Sequence, residues 1–344
     1  MIAPRCFCRF LVFALCWPST MELNSAHAAQ KSAKPTIKIR ISQSAVGARS
    51  TILWSAQELG LFAKHGVEAE VVYLRTSPIQ MTALSTGEVQ FAVTGGSPVL
   101  SAAAGGQDVK IISSPSNRLS YDLVVRPEIK EVKELRGKRF GVTSMGGTVW
   151  MAAYLTLEHL GLDANRDQIH INAIGNQTIL AQAIESAQID ATLLDPFLSR
   201  RTKLKGLPVL VELQRAKIPF TNSAWAVNGS FLREHPETIE AVLKAMIEAQ
   251  AFIAAPANRN GVLRTMARQM KVNDMALLEE GYQDLLVGLE RKPYATLEGL
   301  RNIQRMMSTF NAKANRARIE EIIDNRIVRK LDESGFIDSF YVKN

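Results

Sequence analysis

The sequence predicts an α/β protein of two lobes joined by two crossover segments, with a ligand cleft between them, and three observations carry that expectation. Short β-like runs alternate with helical segments in two successive units, the pattern of an open and mainly parallel sheet. The turns from strand to helix are repeatedly rich in glycine, serine and threonine. Two apolar segments, "LSYDLVV" (119–125) and "NSAWAVN" (222–228), lie where one unit gives way to the other and read as crossover strands. On this reading lobe one comprises residues 35–119 and 227–344, and lobe two comprises 120–226. A two-strand connection forms a hinge, because a few residues at element ends can absorb a rotation.

In the first unit, "TIKIRI" alternates Ile37, Ile39 and Ile41 with polar partners. The β-like runs "EAEVVYL" (68–74), "VQFAV" (89–93) and "VKIIS" (109–113) follow. Between them, residues 50–65 place Ile52, Leu53, Ala56, Leu59 and Phe62 on one helical stripe that Gly66 is suited to end. Ser77 before Pro78 and Ser97 before Pro98 fit an N-cap serine followed by proline in the first turn. The second unit repeats the grammar with "RFGVT" (139–143), "QIHINAI" (168–174), "IDATLL" (189–194) and "LPVLVEL" (207–213). From Arg233 onward the pattern is helical, beginning with a helix opened by Pro236 and Glu237 and closed by Pro256. Ile319, Ile322, Ile323 and Ile327 recur at helical spacing, which predicts a C-terminal helix packed on lobe one.

The chain has 344 residues, 47% hydrophobic and 22% charged, which excludes a disordered polymer and provides length for two lobes. Its first 28 residues differ from the rest. Arg5 and Arg9 flank the apolar run "FLVFALCW", and Ala26 and Ala28 offer a small-x-small cleavage site, so a secretory signal cut after Ala28 and a periplasmic location are expected. The run is far shorter than the ~20 residues needed to span a bilayer. Leu15 stands before Cys16 where a lipoprotein signal requires a small residue. Cys6, Cys8 and Cys16 all fall in this segment, leaving the remainder without a thiol for disulfide or nucleophilic chemistry. Cleavage would remove Arg5, Arg9 and Glu22 and lower the formal charge from +8 to +7. The basic cluster "RRTKLKG" (200–206) has no interleaved aromatics and reads as a solvated face, so no nucleic-acid partner is expected.

The stretch "VTSMGGTVW" (142–150) joins a strand-like run to a helix-like one. It lacks the lysine of a P-loop and the spacing of a dinucleotide fingerprint. A helix N-terminus with Gly146 and Gly147 and the hydroxyls of Ser144 and Thr148 suits a small anionic group, although a ligand-free tight turn fits the same residues. The feature recurs at Thr76-Ser77-Pro78, at Gly95-Gly96-Ser97-Pro98 and at Asn176-Gln177-Thr178, and ligands of open α/β sheets settle at the carboxyl ends of strands. Catalytic alternatives find little support. His27, His65, His159, His170 and His235 show no zinc-ligand spacing, and "GGSPV" lacks the last glycine of a nucleophile elbow. Neither a metal, a cofactor nor turnover is expected.

Five blocks in order, "ILWSAQELGLFAKHGVEAEVVYL", "ALSTGEVQFAVTGGSPVLSAAAGGQDVKII", "ELRGKRFGVTSMGGT", "FLREHPETIEAVLKAMIEAQAFI" and "DNRIVRKLDESGFID", resemble the extracytoplasmic substrate-binding proteins of ABC importers for sulfonates, nitrate and taurine. The resemblance implies a type II periplasmic-binding-protein fold and a monomer that captures a small, anionic solute for a membrane permease and its ATPase. It also implies ligand contacts at Gln43, Ser44, Ser77, Gly96, Ser97, Ser144, Gly146, Gly147 and Thr148, with Asn176 and Asp195 on the far wall. Asp195 either pairs with a ligand ammonium or caps the turn before Pro196. Arg75 and Arg118 are candidate forks for a carboxylate or sulfonate, or else surface arginines. Trp54, Trp150 and Trp225 either cap an apolar ligand body or belong to the core. Fungal pyrimidine-synthesising proteins of the same fold depend on a cysteine-rich segment that this chain lacks. An enzyme or a ligand-sensing module of the same architecture is the alternative expectation.

Overall fold

The computed structural model describes residues 37–341, and the expected signal segment lies outside them. Ten strands form two five-stranded sheets. The first contains β1 (Ile37–Gln43), β2 (Val67–Tyr73), β3 (Phe91–Thr94), β4 (Val109–Arg118) and β10 (Pro219–Asn228) in the order β2-β1-β3-β10-β4. The second contains β5 (Asp122–Val125), β6 (Arg139–Val142), β7 (His170–Ala173), β8 (Ala191–Leu194) and β9 (Val209–Glu212) in the order β7-β6-β8-β5-β9. The orders are equivalent. In each sheet four strands run the same way, and one antiparallel strand sits between the third and the edge.

That antiparallel strand is the first one reached after the chain changes sheets. β5 follows β4 through residues 119–121, and β10 follows β9 through residues 213–218. The two passages touch where the Leu119 amide donates to the Ile218 carbonyl at 2.9 Å. β10 pairs with β3 and β4 over its length, from Pro219 opposite Arg118 to Asn228 opposite Val109. Residues 222–228, expected as the second crossover, are therefore a ladder strand of the first sheet, and the passage precedes them. An apolar run flanked by turns reads alike in either role.

Helices α1 (Thr51–Glu58), α2 (Leu61–Lys64), α3 (Ser77–Thr86) and α4 (Gly96–Ala104) serve the first sheet, and α5 (Thr148–His159), α6 (Gln177–Glu185) and α7 (Pro196–Lys203) serve the second. The C-terminal region supplies α8 (Gly229–Glu234), α9 (Pro236–Ala254), α10 (Arg259–Met270), α11 (Met275–Gly288), α12 (Leu297–Ser308), α13 (Ile319–Ile322), α14 (Arg326–Glu333) and α15 (Phe336–Ser339). The expected helix over 50–65 breaks between α1 and α2, where Gly60 takes φ 65° and redirects the chain. Ser77 and Ser97 are not caps. Thr76 and Gly95 hold those positions, and each serine lies within the first turn. The C-terminal isoleucine stripe packs on β4 as expected but not as one helix: Ile319 and Ile322 are buried from α13, and Ile323 leaves the helix to bridge Ile111.

Each sheet is filled by the inward residues of its central strands. Ile39, Ile41, Phe91 and Trp225 are buried in the first, and Leu123, Phe140 and Leu193 in the second. Trp54, Trp150 and Trp225 all belong to the packed interior, at 3%, 7% and 0% exposure. α12 reaches the crossover region through Asn302, whose Nδ2 donates to the Pro219 carbonyl at 2.9 Å. It lies so close to β10 that a methyl group on Gly299 would stand 2.9 Å from the Thr221 amide nitrogen. Gly299→Ala is therefore expected to destabilise the protein by about 1–3 kcal/mol through overpacking. Urea denaturation would check it, and a variant as stable as the parent would mean that the helix moves away freely.

Candidate ligand-binding site

A cavity of about 190 Å³ lies between the two sheets. Its walls follow from the parallel topology, which gathers the carboxyl ends of strands along one edge of each sheet. From the first sheet come Gln43 at the end of β1 and Ser44 after it, Arg75, Thr76 and Ser77 after β2, and Thr94 and Gly95 at the end of β3. From the second come Thr143, Ser144 and Thr148 after β6, Asn176 and Gln177 after β7, and Asp195 after β8. Ser116, Ser120, Tyr121 and Asn222 form the floor beside the crossovers. The first turns of α3, α5, α6 and α7 and the cap of α4 open on this space, so five positive helix ends converge there.

Of the residues singled out in the sequence, Gln43, Ser44, Arg75, Thr76, Ser77, Gly95, Ser144, Thr148, Asn176 and Asp195 line the cavity. Gly96, Ser97, Arg118, Gly146 and Gly147 are not among its lining residues. Gly96 and Ser97 are buried in the first turn of α4, where a methyl on Gly96 would meet Thr221. Arg118 faces Glu290 at 3.7 Å instead. The glycine pair builds a turn: Gly146 takes φ 72°, and the Gly147 amide donates to the Ser144 carbonyl at 3.2 Å. The Gly147 amide is thus used in shaping the loop, while Ser144 and Thr148 line the cavity. The three tryptophans are absent from the lining.

Four buried polar atoms of the lining have no hydrogen-bond partner among the described residues: Gln43 Oε1, Thr94 Oγ1, Ser116 Oγ and Asn222 Oδ1. Eleven further buried polar atoms among the described residues are also unpaired, but these four belong to residues that line the cavity and so are placed where a polar guest could meet them. Apolar surface dominates the rest of the wall, with Ile52, Val93, Val149, Phe197 and Leu285 contributing.

Two guanidiniums and two carboxylates complete the lining. Arg49, from the 3₁₀ turn Ala48–Ser50, lies 4.8 Å over the Tyr121 ring, and its Nη1 donates to Ser120 Oγ at 3.3 Å. The same hydroxyl accepts from Asn222 Nδ2 at 2.7 Å. Asp195 caps α7 by accepting from the Leu198 amide at 3.1 Å, while its own amide donates to Gln177 Oε1 at 2.9 Å. Burial pushes the Asp195 carboxyl above the ordinary carboxylate range, and the positive charge of Arg49 opposes that push. Asp284 of α11 is likewise raised by burial and held by Arg200 of α7, with Nε and Nη2 donating at 2.6–2.9 Å.

Sequence reasoning missed Arg49, Tyr121, Asn222 and all of the α11 wall, where Gly281, Asp284, Leu285, Gly288 and Leu289 face the cavity. An amphipathic helix far along the chain gives no sign of which half its apolar stripe will meet. Among the described residues no group of His, Cys, Asp and Glu is arranged to hold a metal.

The halves touch around this space. Gly95 packs so tightly on Thr148 that any side chain would overlap it, and a methyl on Gly47 would stand 3.2 Å from Asp195 Oδ2. On the flanks, Arg305 of α12 grips Glu158 of α5 through two bonds of 2.7 and 2.6 Å, and Phe310 stacks on Tyr154 and Trp150 at 4.2 and 5.2 Å.

Two doubly crossed sheets of equivalent order closing on a cavity at their strand ends constitute the periplasmic-binding-protein fold. The chain belongs to the NMT1/THI5-like family, whose model matches residues 48–258. It is 28% identical over 229 residues to a putative binding protein of Brucella abortus, covering 65% of this chain and 68% of that one. It is 29% identical over 192 residues to the putative aliphatic sulfonates-binding protein of Bacillus subtilis, covering 55% and 56%. The alkanesulfonate-binding protein SsuA of Xanthomonas axonopodis, solved bound to MOPS, superposes with a TM-score of 0.67 at 17% identity, over 87% of this chain and 98% of that one.

Beside the cavity, the buried Asp122 carboxyl accepts from Ser199 Oγ, and burial pushes it up from 3.8 to about 6. A raised carboxyl favours the native state below pH 3.8 and loses that contribution as pH climbs through about 6. Replacing it by the neutral isostere is thus expected to help only at the upper end. Asp122→Asn should gain roughly 2–3 kcal/mol over the parent at pH 8 and almost nothing at pH 4. Denaturant titrations at both pH values read this out, and an equal difference at the two would refute the assignment.

Proposed function

We propose that the protein is the extracytoplasmic solute-binding component of an ABC importer. It captures a small organic solute with a negative group between two lobes and hands it, chemically unchanged, to the permease and ATPase. The lobes are taken as residues 37–118 with 219–341, and 119–218. The observation that carries the reading is the cavity itself: both sheets contribute their strand ends to one space in which four buried polar atoms lack partners. Converging helix N-termini favour an anionic head, and the predominantly apolar wall favours a carbon body. The names of the Bacillus and Xanthomonas proteins support a sulfonate or a group of similar shape, with a carboxylate as the other candidate. Secretion to the periplasm and a monomeric state belong to the same proposal, and the membership in the NMT1/THI5-like family supports it.

A solute that bridges the lobes stabilises the closed state by bonds that exist only on closure. Thermal unfolding in a panel of sulfonates, carboxylates, nitrate and pyrimidines should therefore show a saturable rise in Tm for at least one compound, by about 2.7 kcal/mol of stabilisation at a hundredfold excess over Kd. A panel without any such response would end the proposal. Closure is tested by Gly95→Leu, whose side chain must displace Thr148. It should weaken the best-bound compound at least tenfold and enlarge the liganded molecule in small-angle scattering while preserving the fold. Unchanged affinity would show that the halves need not meet there.

A further inference from the structure

The cavity is lined by four charged side chains, Arg49, Arg75, Asp195 and Asp284, and the fold holds them differently. Asp284 is gripped by Arg200 through charge-assisted hydrogen bonds. Asp195 accepts from the Leu198 amide as the cap of α7. Arg75 is exposed, and no hydrogen bond or ion pair among the described residues fixes its side chain. Of the two arginines, only Arg49 is held in place. Its guanidinium carbon lies 4.8 Å over the centre of the Tyr121 ring, and Nη1 donates to Ser120 Oγ at 3.3 Å. Ser120 Oγ is itself fixed by Asn222 Nδ2 at 2.7 Å, and Tyr121 is buried. Ser120, Tyr121 and Asn222 all belong to the cavity floor, so the guanidinium is laid on that floor. A guanidinium carries five N–H donors in one plane, of which Ser120 takes one. No carboxylate, that of Asp195 included, lies within 4.0 Å of the Arg49 nitrogens among the described residues.

We propose that Arg49 is the residue that reads the anionic group of the solute, holding a carboxylate or sulfonate on the cavity floor so that the charged end of the solute lies at the crossovers. A guanidinium oriented in advance by a ring and a hydroxyl loses little freedom on meeting an anion, and its free donors match a carboxylate or sulfonate through paired charge-assisted hydrogen bonds. Arg75, exposed and unfixed, adds positive potential without orienting the group. The inference rests on the solute-capture reading and goes beyond it, because it assigns one residue to the head group and one end of the cavity to the charge.

The experiment is calorimetric titration of the protein at pH 7.5 with butanesulfonate and with butanoate, each against its uncharged amide. The parent should bind at least one of the two anions at least tenfold more tightly than the matching amide, and Arg49→Gln should abolish that preference. Arg49→Lys keeps the positive charge near the ring and loses the planar fork. It should bind the anion at least threefold more weakly than the parent and still prefer it to the amide, which gives a second reading should the glutamine variant fold poorly. Arg75→Gln should reduce the preference by less than Arg49→Gln does. The proposal is overturned if the parent prefers neither anion, if Arg49→Gln keeps the preference, or if Arg75→Gln removes it as fully. The capture reading fails by a different result, a wider panel in which no organic solute binds the parent. A solute that binds the parent and Arg49→Gln alike leaves capture standing and removes Arg49 from it.

Discussion

Everything in this molecule depends on the chain crossing between its sheets twice at one place. A parallel sheet gathers its turns and helix N-termini along a single edge. One crossing would tether two such edges loosely, whereas two crossings, joined at Leu119 and Ile218, hold them face to face. The antiparallel strands β5 and β10 follow directly, because a chain arriving from the other sheet enters from the opposite end. The floor of the cavity follows as well, since Ser120, Tyr121 and Asn222 lie in or beside those crossings. The floor of the cavity and the crossings thus share the same residues.

The electrostatics of the site reflect a general difficulty with burying charge. A carboxylate removed from water is disfavoured unless a cation or hydrogen-bond donors meet it. Here elements of the opposite half close over the carboxyls: α11 brings Asp284 to Arg200 of α7, and the turn that carries Arg49 packs its Gly47 on Asp195. All three carboxyls are raised by burial, and Asp122, beside Ser199 with further carboxylates nearby, is pushed up to about 6.

Contacts between the halves differ in what they can contribute. The Arg305–Glu158 pair is about half exposed on both sides, and such pairs add little in water. The rings of Phe310, Tyr154 and Trp150 bury apolar area and add more. The Gly95–Thr148 approach contributes through shape: it excludes every larger residue from the meeting point and so sets how far the cavity can close.

Local chemistry was sufficient to read the strands, the turn residues and the two α/β units in the sequence, because period-two alternation and glycine- or serine-rich turns act over a few residues. Eight of the strands lie on the runs picked out for them, and ten of the fifteen proposed contacts line the cavity. The failures also have one physical origin. Ser97, Gly146 and Gly147 have the right composition, yet Ser97 is buried in the first turn of α4, and the left-handed Gly146 and the bond from Gly147 to Ser144 are spent on the turn itself. Residues 222–228 read as a crossover because an apolar run does not declare its sheet. The placement of Arg49 over Tyr121, of Gly47 against Asp195 and of α11 along the wall depends on contacts between segments that share no local pattern. Only the folded chain decides which charge meets which, because Coulomb interaction and burial act through space and not along the sequence.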